Sequence, residues 1–319
     1  MAAYLIRRLL QALVVTWLVT VLTFILLKLL PGGPVRAILG PMAGNEVLVR
    51  RLTIELGYNQ PDWYQYWRWV DSLLHGNLGF SYQENQPVSG LLGQALPKTF
   101  LLLGLSTLLA LLIAIPLGVA QAVKRNKLTD YVGTGFSFIF YAMPDYLLGI
   151  ILINIAAEPP REWFPAEAAQ APGIGSFFTD FDAMVLPVLA LTLLTVASFS
   201  RYMRSSTLDQ ITQEYTQTAR AKGASEQRIL YRHILRNALI PIATMVGLSL
   251  PVLFSGDLLI EDVYNYPGMG HLFVVAAGNQ DYPILLGVTA LVAFVTVMGS
   301  LLADVLYAVL DPRVRYVSA

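Results

Sequence analysis

Residues 100–123 read FLLLGLSTLLALLIAIPLGVAQAV, a run without a charged side chain. At about 1.5 Å per residue, a helix of that length crosses the ~30 Å hydrocarbon layer of a bilayer. Five further runs, 9–30, 131–157, 183–199, 238–254 and 284–310, are of the same kind. They predict an all-α membrane protein with six transmembrane helices. Composition agrees. Of 319 residues, 55% are hydrophobic and 13% charged, and the mean hydropathy is +0.58. A soluble domain carries about 25% charged residues.

Prolines mark four of the runs: Pro116, Pro144, Pro187, and Pro241 with Pro251. A carbonyl freed by proline inside a bilayer must be satisfied by neighbouring helices or water. These positions therefore predict a bundle lining a pathway rather than isolated anchors. The first run has a long apolar core and is followed by Pro31-Gly32-Gly33-Pro34 in place of a small-residue cleavage site, so it reads as an uncleaved helix. Lys28, near its outer end, is expected to snorkel.

Lys and Arg set the orientation. Fourteen gather at one face of the predicted bundle: Arg7 and Arg8, the trio Lys124, Arg125 and Lys127, seven between Arg201 and Arg236, and Arg313 with Arg315. Six lie on the other: Arg36, Arg50, Arg51, Arg68, Lys98 and Arg161. The positive-inside rule puts both termini in the cytoplasm. The connection between the fifth and sixth runs has no Lys or Arg but carries Asp257, Glu261, Asp262 and Asp281, which suits an outside loop. The expected organisation is a first helix (1–30), an extracytoplasmic segment (31–98) and a five-helix core (99–319) with a cytoplasmic loop at about 201–237. In the outer segment, Trp63, Tyr66, Trp67, Val70, Leu73 and Leu74 recur at helical spacing, opposite Gln65, Arg68, Asp71 and Ser72. Two readings stand: a helix lying in the outer interface, or one packed on the bundle.

Several chemistries are missing. No Gly-x4-Gly-Lys-Ser/Thr occurs, so no P-loop is expected. The Gly-x-Gly openings at Gly133, Gly173 and Gly268 have Phe138, Phe178 and Phe273 where a dinucleotide fingerprint needs its third glycine. His75, His233 and His271 fall in different connections, and no metal site or catalytic triad is expected. A net charge of zero argues against nucleic acid. The absence of cysteine excludes disulfides and thiolate chemistry. The chain reads as a conduit rather than a catalyst.

The basic loop stands apart. Residues 208–222 favour helix, Gly223 can take the left-handed conformation that ends one, and Ser225 can cap the next, with Glu226 in its first turn. Arg228, Arg232 and Arg236 then form an i, i+4 stripe. From composition alone this is either a docking element or a solvated positive-inside loop.

The motifs decide between them. Gln217-Thr218-Ala219-Arg220-Ala221-Lys222-Gly223-Ala224, followed by His233-Ile234-Leu235-Arg236-Asn237-Ala238-Leu239-Ile240-Pro241, closely resembles the "EAA" loop of ATP-binding-cassette importer permeases. The resemblance is to the branch that imports dipeptides, oligopeptides and nickel. Tyr4-Leu5-Ile6-Arg7-Arg8-Leu9-Leu10, Asn85-Gln86-Pro87-Val88, Leu96-Pro97-Lys98-Thr99, Tyr266-Pro267-Gly268-Met269-Gly270 and Asp311-Pro312-Arg313-Val314-Arg315 extend it over nearly the whole chain. Gln217 stands where the general pattern has glutamate, and Gly33 where Pro-Gly-Asp-Pro has aspartate.

The resemblance implies a type I importer permease fold in a bacterial or archaeal cytoplasmic membrane. It also implies a homologous second permease, two cytoplasmic ATPase subunits that bind ATP and Mg, and an extracytoplasmic solute-binding protein. On this reading residues Gln217, Thr218, Ala219, Arg220, Ala221, Lys222, Gly223, Ala224 and Ser225 contact the ATPase, with small side chains allowing close docking and Arg220 and Lys222 at the rim. The chain itself holds no cofactor. Cargo is expected to be di- or oligopeptide, with nickel, glutathione or another small solute as the alternative. A gradient-driven secondary transporter is a further alternative, though no inverted repeat supports it. For the pathway or outer gate the candidates are Asp145, in the middle of the third run, and Pro267, Gly268, Met269 and Gly270, where backbone could approach a binding protein. Asp304 is expected to be structural, near the inner interface.

Overall fold

A computed structural model describes residues 2–157, 163–170 and 175–310, without the side chains of 2–6, 8, 176 and 301–310. Asp304 and the closing 311–315 motif therefore lie outside what is described at the side-chain level. The elements are α1 (Ala2–Lys28), α2 (Gly33–Leu39), α3 (Glu46–Glu55), α4 (Asp62–Leu74), the two-residue strands β1 (Phe80–Ser81) and β2 (Gln86–Pro87), α5 (Val88–Val123), α6 (Leu128–Ala142) and α7 (Asp145–Ala156). There follow α8 (Gly175–Thr179), α9 (Phe181–Ile211), α10 (Glu214–Ala221), α11 (Glu226–Ile229), α12 (Leu235–Ser249), α13 (Val252–Ser255), α14 (Leu258–Val263), α15 (Met269–Gly278) and α16 (Tyr282–Leu310).

Among the described residues, five helical stretches are long and apolar enough to cross a membrane: Leu9–Lys28, Val88–Val123, Phe181–Ile211, Glu226–Val263 and Tyr282–Ser300. The bent pair α6 and α7 makes the sixth when taken as one span. All six expected runs are thus helical, but three depart from expectation. The second begins at Val88, twelve residues early, because Pro97 is accommodated inside the helix. The fourth continues to Ile211 past the end of its apolar run, carrying Arg201 and Arg204 on the same rod. The third is not one helix. Pro144 has no N–H to donate, and it drives Met143 into an extended conformation (φ −82°, ψ 131°), so α6 stops and α7 leaves at 107°.

Helices α5 and α9 form the centre. At Gly118 a Cβ atom would lie 2.6 Å from the Cβ of Met203 and 2.7 Å from the backbone carbonyl oxygen of Ser200, so the helices touch with no side chain between them. Ala110 and Ala114 of α5 pack against Val196 and Phe199 of α9 in the same seam. Helix α6 is bound to α9 by polar contacts. Arg204 donates Nε and Nη2 to the buried Asp130 carboxylate at 2.7 and 2.9 Å, and the hydroxyls of Ser137 and Ser200 are 2.8 Å apart.

The outer segment resolves its two readings into one. Tyr66 of α4 is buried on α1, edge-on to Phe24 and with its hydroxyl 3.0 Å from that of Thr20. Trp63 and Trp67, on the same stripe, stay 68% and 55% exposed. The helix therefore packs on the bundle and still presents aromatic rings at its rim. Lys28 does not simply snorkel: its ammonium meets Asp62 at 2.9 Å and Gln65 at 2.6 Å, which ties α1 to α4.

Gly118→Val should destabilise the protein by about 1–3 kcal/mol, because the obstacle is backbone of α9 rather than a movable side chain. Gly135→Val, where a Cβ meets nothing within 4 Å, is the control. Thermal unfolding in detergent should separate the two variants clearly, and equal melting temperatures would refute the close crossing.

Candidate functional site

Three regions carry the residues singled out by sequence. The first is the basic loop. The predicted helix over 208–222 is two helices: Thr212 ends α9, Gln213 is extended (φ −66°, ψ 148°), and α10 starts at Glu214. Thr212 and Gln213 turn their side chains back onto the Asp209 carbonyl, a local bonding pattern that competes with helix continuation. Helix α10 ends as the glycine requires. Gly223 has φ +78°, its N–H donates to the Arg220 carbonyl, and the Ala224 N–H reaches back to the Ala219 carbonyl at 3.2 Å. This pair of bonds closes the last turn through a left-handed residue. Ser225 caps α11, accepting from the Arg228 N–H at 3.4 Å.

One feature corrects the expectation for Arg220. Its guanidinium does not stand free at the rim but forms a two-pronged pair with Glu226, at 2.7 and 3.0 Å, across the glycine turn. The carboxylate holds the Arg220 group above its ordinary pKa. Gln217, Thr218, Ala221, Lys222, Gly223 and Ser225 are exposed, Ala219 and Ala224 half-buried, and Thr216 and Ile229 buried beneath them. The result is a small, exposed, internally braced knuckle on the end of α9.

The second region is the Tyr266-Pro267-Gly268-Met269-Gly270 turn. Helix α15 begins at Met269, and its first N–H groups need acceptors. Gly268, at the cap, has no side chain to offer. Thr99 of α5 accepts from the Met269 N–H at 2.7 Å, and Glu261 of α14 accepts from Gly270 at 2.7 Å and His271 at 3.3 Å. Thr99 in turn donates to Glu261 at 2.9 Å. A carboxylate at a helix N-terminus also meets the favourable end of the dipole. The glycines make this possible: a Cβ on Gly268 would sit 2.4 Å from the Glu261 Oε2, and one on Gly270 would sit 3.0 Å away. The backbone does approach a partner closely, but that partner is the chain's own Glu261. Met269 is fully buried, so it offers no surface to a binding protein. Tyr266 seals the socket, donating to the Lys98 carbonyl at 2.7 Å, and burial pushes its phenol pKa up.

The third region surrounds Asp145. It does not sit mid-helix: it is the first residue of α7, just after the break. It lines a cavity of about 290 Å³ together with Thr107, Thr195, Ser198, Ser249 and Asp257. Sequence reading placed Asp257 and Glu261 alike in a solvated acidic loop. The signal it passed over was local: Glu261 interrupts the apolar run Leu258-Leu259-Ile260, where an acid needs donors. No cluster of three or more potential metal ligands occurs among the described residues.

Residues 114–316 match the family described as binding-protein-dependent transport system inner membrane component, and residues 1–103 match its N-terminal membrane component. The oligopeptide transport system permease protein AppB of Bacillus subtilis is 38% identical over 99% of this chain and all of its own length. The probable peptide ABC transporter permease protein y4tP of Sinorhizobium fredii is 36% identical, again over 99% of this chain and its whole length. The glutathione transport system permease protein GsiC of Salmonella paratyphi A is 35% identical over the same extents.

Glu261→Gln replaces an acceptor oxygen by an amide that faces N–H donors, so it should cost about 1–3 kcal/mol. With no other cysteine in the chain, Met269→Cys should resist a hydrophilic maleimide, and the added Glu261→Gln change should make it reactive. Rapid labelling of Met269→Cys alone would contradict the buried socket.

Proposed function

The chain belongs to the family of binding-protein-dependent transport system inner membrane components, and on that premise we propose that it forms half of the transmembrane pathway of an ATP-driven peptide importer. A homologous permease supplies the other half. Two ATPase subunits, which hold the ATP and Mg, dock in the cytoplasm, and an extracytoplasmic binding protein delivers cargo. Both termini and the loop over 201–237 face the cytoplasm, as the distribution of Lys and Arg favours. Peptide cargo is favoured by the likeness to AppB, an oligopeptide transport system permease protein, and y4tP, a probable peptide ABC transporter permease protein. Glutathione, named for GsiC, is itself a small peptide-like solute and enters by the same machine.

The observation that carries this reading is the exposed knuckle from Gln217 to Ser225. Its turn is fixed from within by the Gly223 conformation and the Arg220–Glu226 pair, and it stands on the end of α9, the helix at the centre of the bundle. A rigid element exposed on such a rod fits a contact that must pass force rather than merely bind. Closure of the ATPases on ATP would displace the knuckle, and α9 would carry that displacement into the pathway.

Gly223 supplies the test. A Cβ there meets nothing within 4 Å in this chain, so a side chain costs only the left-handed strain, about 1–2 kcal/mol. Gly223→Val should therefore insert and fold, yet strip the assembled complex of ATP hydrolysis stimulated by loaded binding protein, and of uptake. Normal stimulated hydrolysis and uptake in vesicles would refute the coupling role.

A further inference from the structure

We propose that the cavity between Asp145 and Asp257 is the subsite that receives the positively charged ammonium group of the cargo, an inference that rests on the peptide-importer reading. The cavity measures about 290 Å³ and draws walls from α5, α7, α9, α12 and α13. That is room for the end of a small peptide and too little for a folded partner. Its lining is apolar apart from the two carboxylates and four hydroxyls, and no Lys, Arg or His borders it. The Asp145 carboxylate makes no hydrogen bond or ion pair among the described residues. Asp257 uses Oδ1 to cap α14, accepting from the Ile260 N–H at 2.9 Å, and the Leu259 N–H is directed at the same carboxylate.

Two carboxylates facing one apolar-walled space with no cation between them are costly unless a cation joins them. The fold places them there by construction. The break at Pro144 puts Asp145 at the head of a half-helix, and Gly256 (φ +83°) turns the chain so that Asp257 heads α14. Non-helical backbone at membrane depth is tolerated where it is buried in protein or lines a water-filled cavity, and transporters place their sites at such breaks. An ammonium group has three N–H donors and no acceptor. The carboxylates and the hydroxyl of Thr107 form a matching acceptor set. An α-amino terminus and a lysine side chain share this chemistry.

The first measurement needs no transport. In the assembled complex, Ser198→Cys places the only cysteine of this chain on the cavity wall. Its labelling by a methanethiosulfonate bearing an ammonium group is compared with labelling by an uncharged one, read by mass on this chain. The cationic-to-neutral rate ratio should fall about tenfold when Asp145→Asn and Asp257→Asn are added, as for loss of one charge-assisted contact. Asp145→Asn alone, at a carboxylate without a hydrogen bond or ion pair among the described residues, should give part of that fall and serves if the double variant fails to assemble. An unchanged ratio overturns the proposal.

The second measurement is uptake of trialanine, its N-acetyl form, and an N-acetyl peptide ending in lysine, delivered by one binding protein. Variants should lose the advantage of the free-amine peptide, of the lysine peptide, or of both, over the acetylated one, and which is lost identifies the source. Unaltered uptake ratios beside a fallen labelling ratio would overturn the assignment to cargo. Failure of the wild-type complex to take up any peptide would overturn the peptide reading, while the labelling ratio would still decide whether the cavity selects cations.

Discussion

Everything in this bundle is placed relative to the contact of α5 with α9 at Gly118. Lipid tails are as apolar as leucine, so helices in a bilayer gain little from hiding hydrophobic surface and associate through close packing and shared polar bonds. A glycine opposite the Ser200 carbonyl and Met203 permits the first. The Asp130–Arg204 pair and the Ser137–Ser200 contact supply the second and bring α6 to the same face of α9. On the far side, Leu102 and Leu103 of α5 and Leu186 and Leu191 of α9 build the core on which Ile260, Tyr264 and Tyr266 rest. The outer loop is thus held by the helix pair rather than by solvent.

The second organising constraint is that each break in a helix frees backbone groups that hydrocarbon cannot satisfy. The chain answers each break locally. Helix α15 takes its first acceptors from Thr99 and Glu261. Helix α14 takes its own from Asp257. The Tyr264 hydroxyl donates to the Gly149 carbonyl of α7 at 3.1 Å, which fastens the half-helix beyond the Pro144 break. The acids at these breaks are therefore of different kinds: Glu261 is saturated by donors, whereas Asp145 and Asp257 line the cavity.

This difference marks where the sequence stops being readable. The six apolar runs, the glycine-ended helix before Ser225 and the amphipathic stripe of Trp63 and Tyr66 follow from periodicity and turn chemistry, because each depends on neighbours within a few residues. The breaks were half-legible. Pro144 announced a disturbance, but the 107° departure of α7 depends on which neighbours hold it. The split at Thr212 escaped because nothing in the local sequence weighs a side-chain bond against one more helical turn. Least legible were the contacts between distant segments. Thr99 and Met269 are 170 residues apart and meet only in the fold, so by sequence the glycines of the 266–270 motif look like a surface for a partner. The contact of Arg220 with Glu226, only six residues along, was missed for another reason. It crosses a turn rather than following a helix face, and i, i+4 spacing does not reveal it.

Helix α9 joins the two ends of the proposed mechanism. Leu191, Thr195, Ser198 and Phe199 line the Asp145 cavity, and the same unbroken helix runs to Ile211, six residues before the knuckle. From Ser198 to Ile211 is thirteen residues, roughly 20 Å of helix. Pro187 lies above this stretch, and no proline or glycine interrupts it. A rod anchored at its middle by Gly118 and by the Arg204–Asp130 pair can tilt about that anchor but cannot bend to absorb a push at its end. On the proposed coupling, displacing the knuckle would move the cavity wall relative to Asp145 on α7, which belongs to a separate half-helix. The break at Pro144 and the continuity of α9 are two requirements of one device: one wall of the cavity must be carried by the lever while the acid facing it is not.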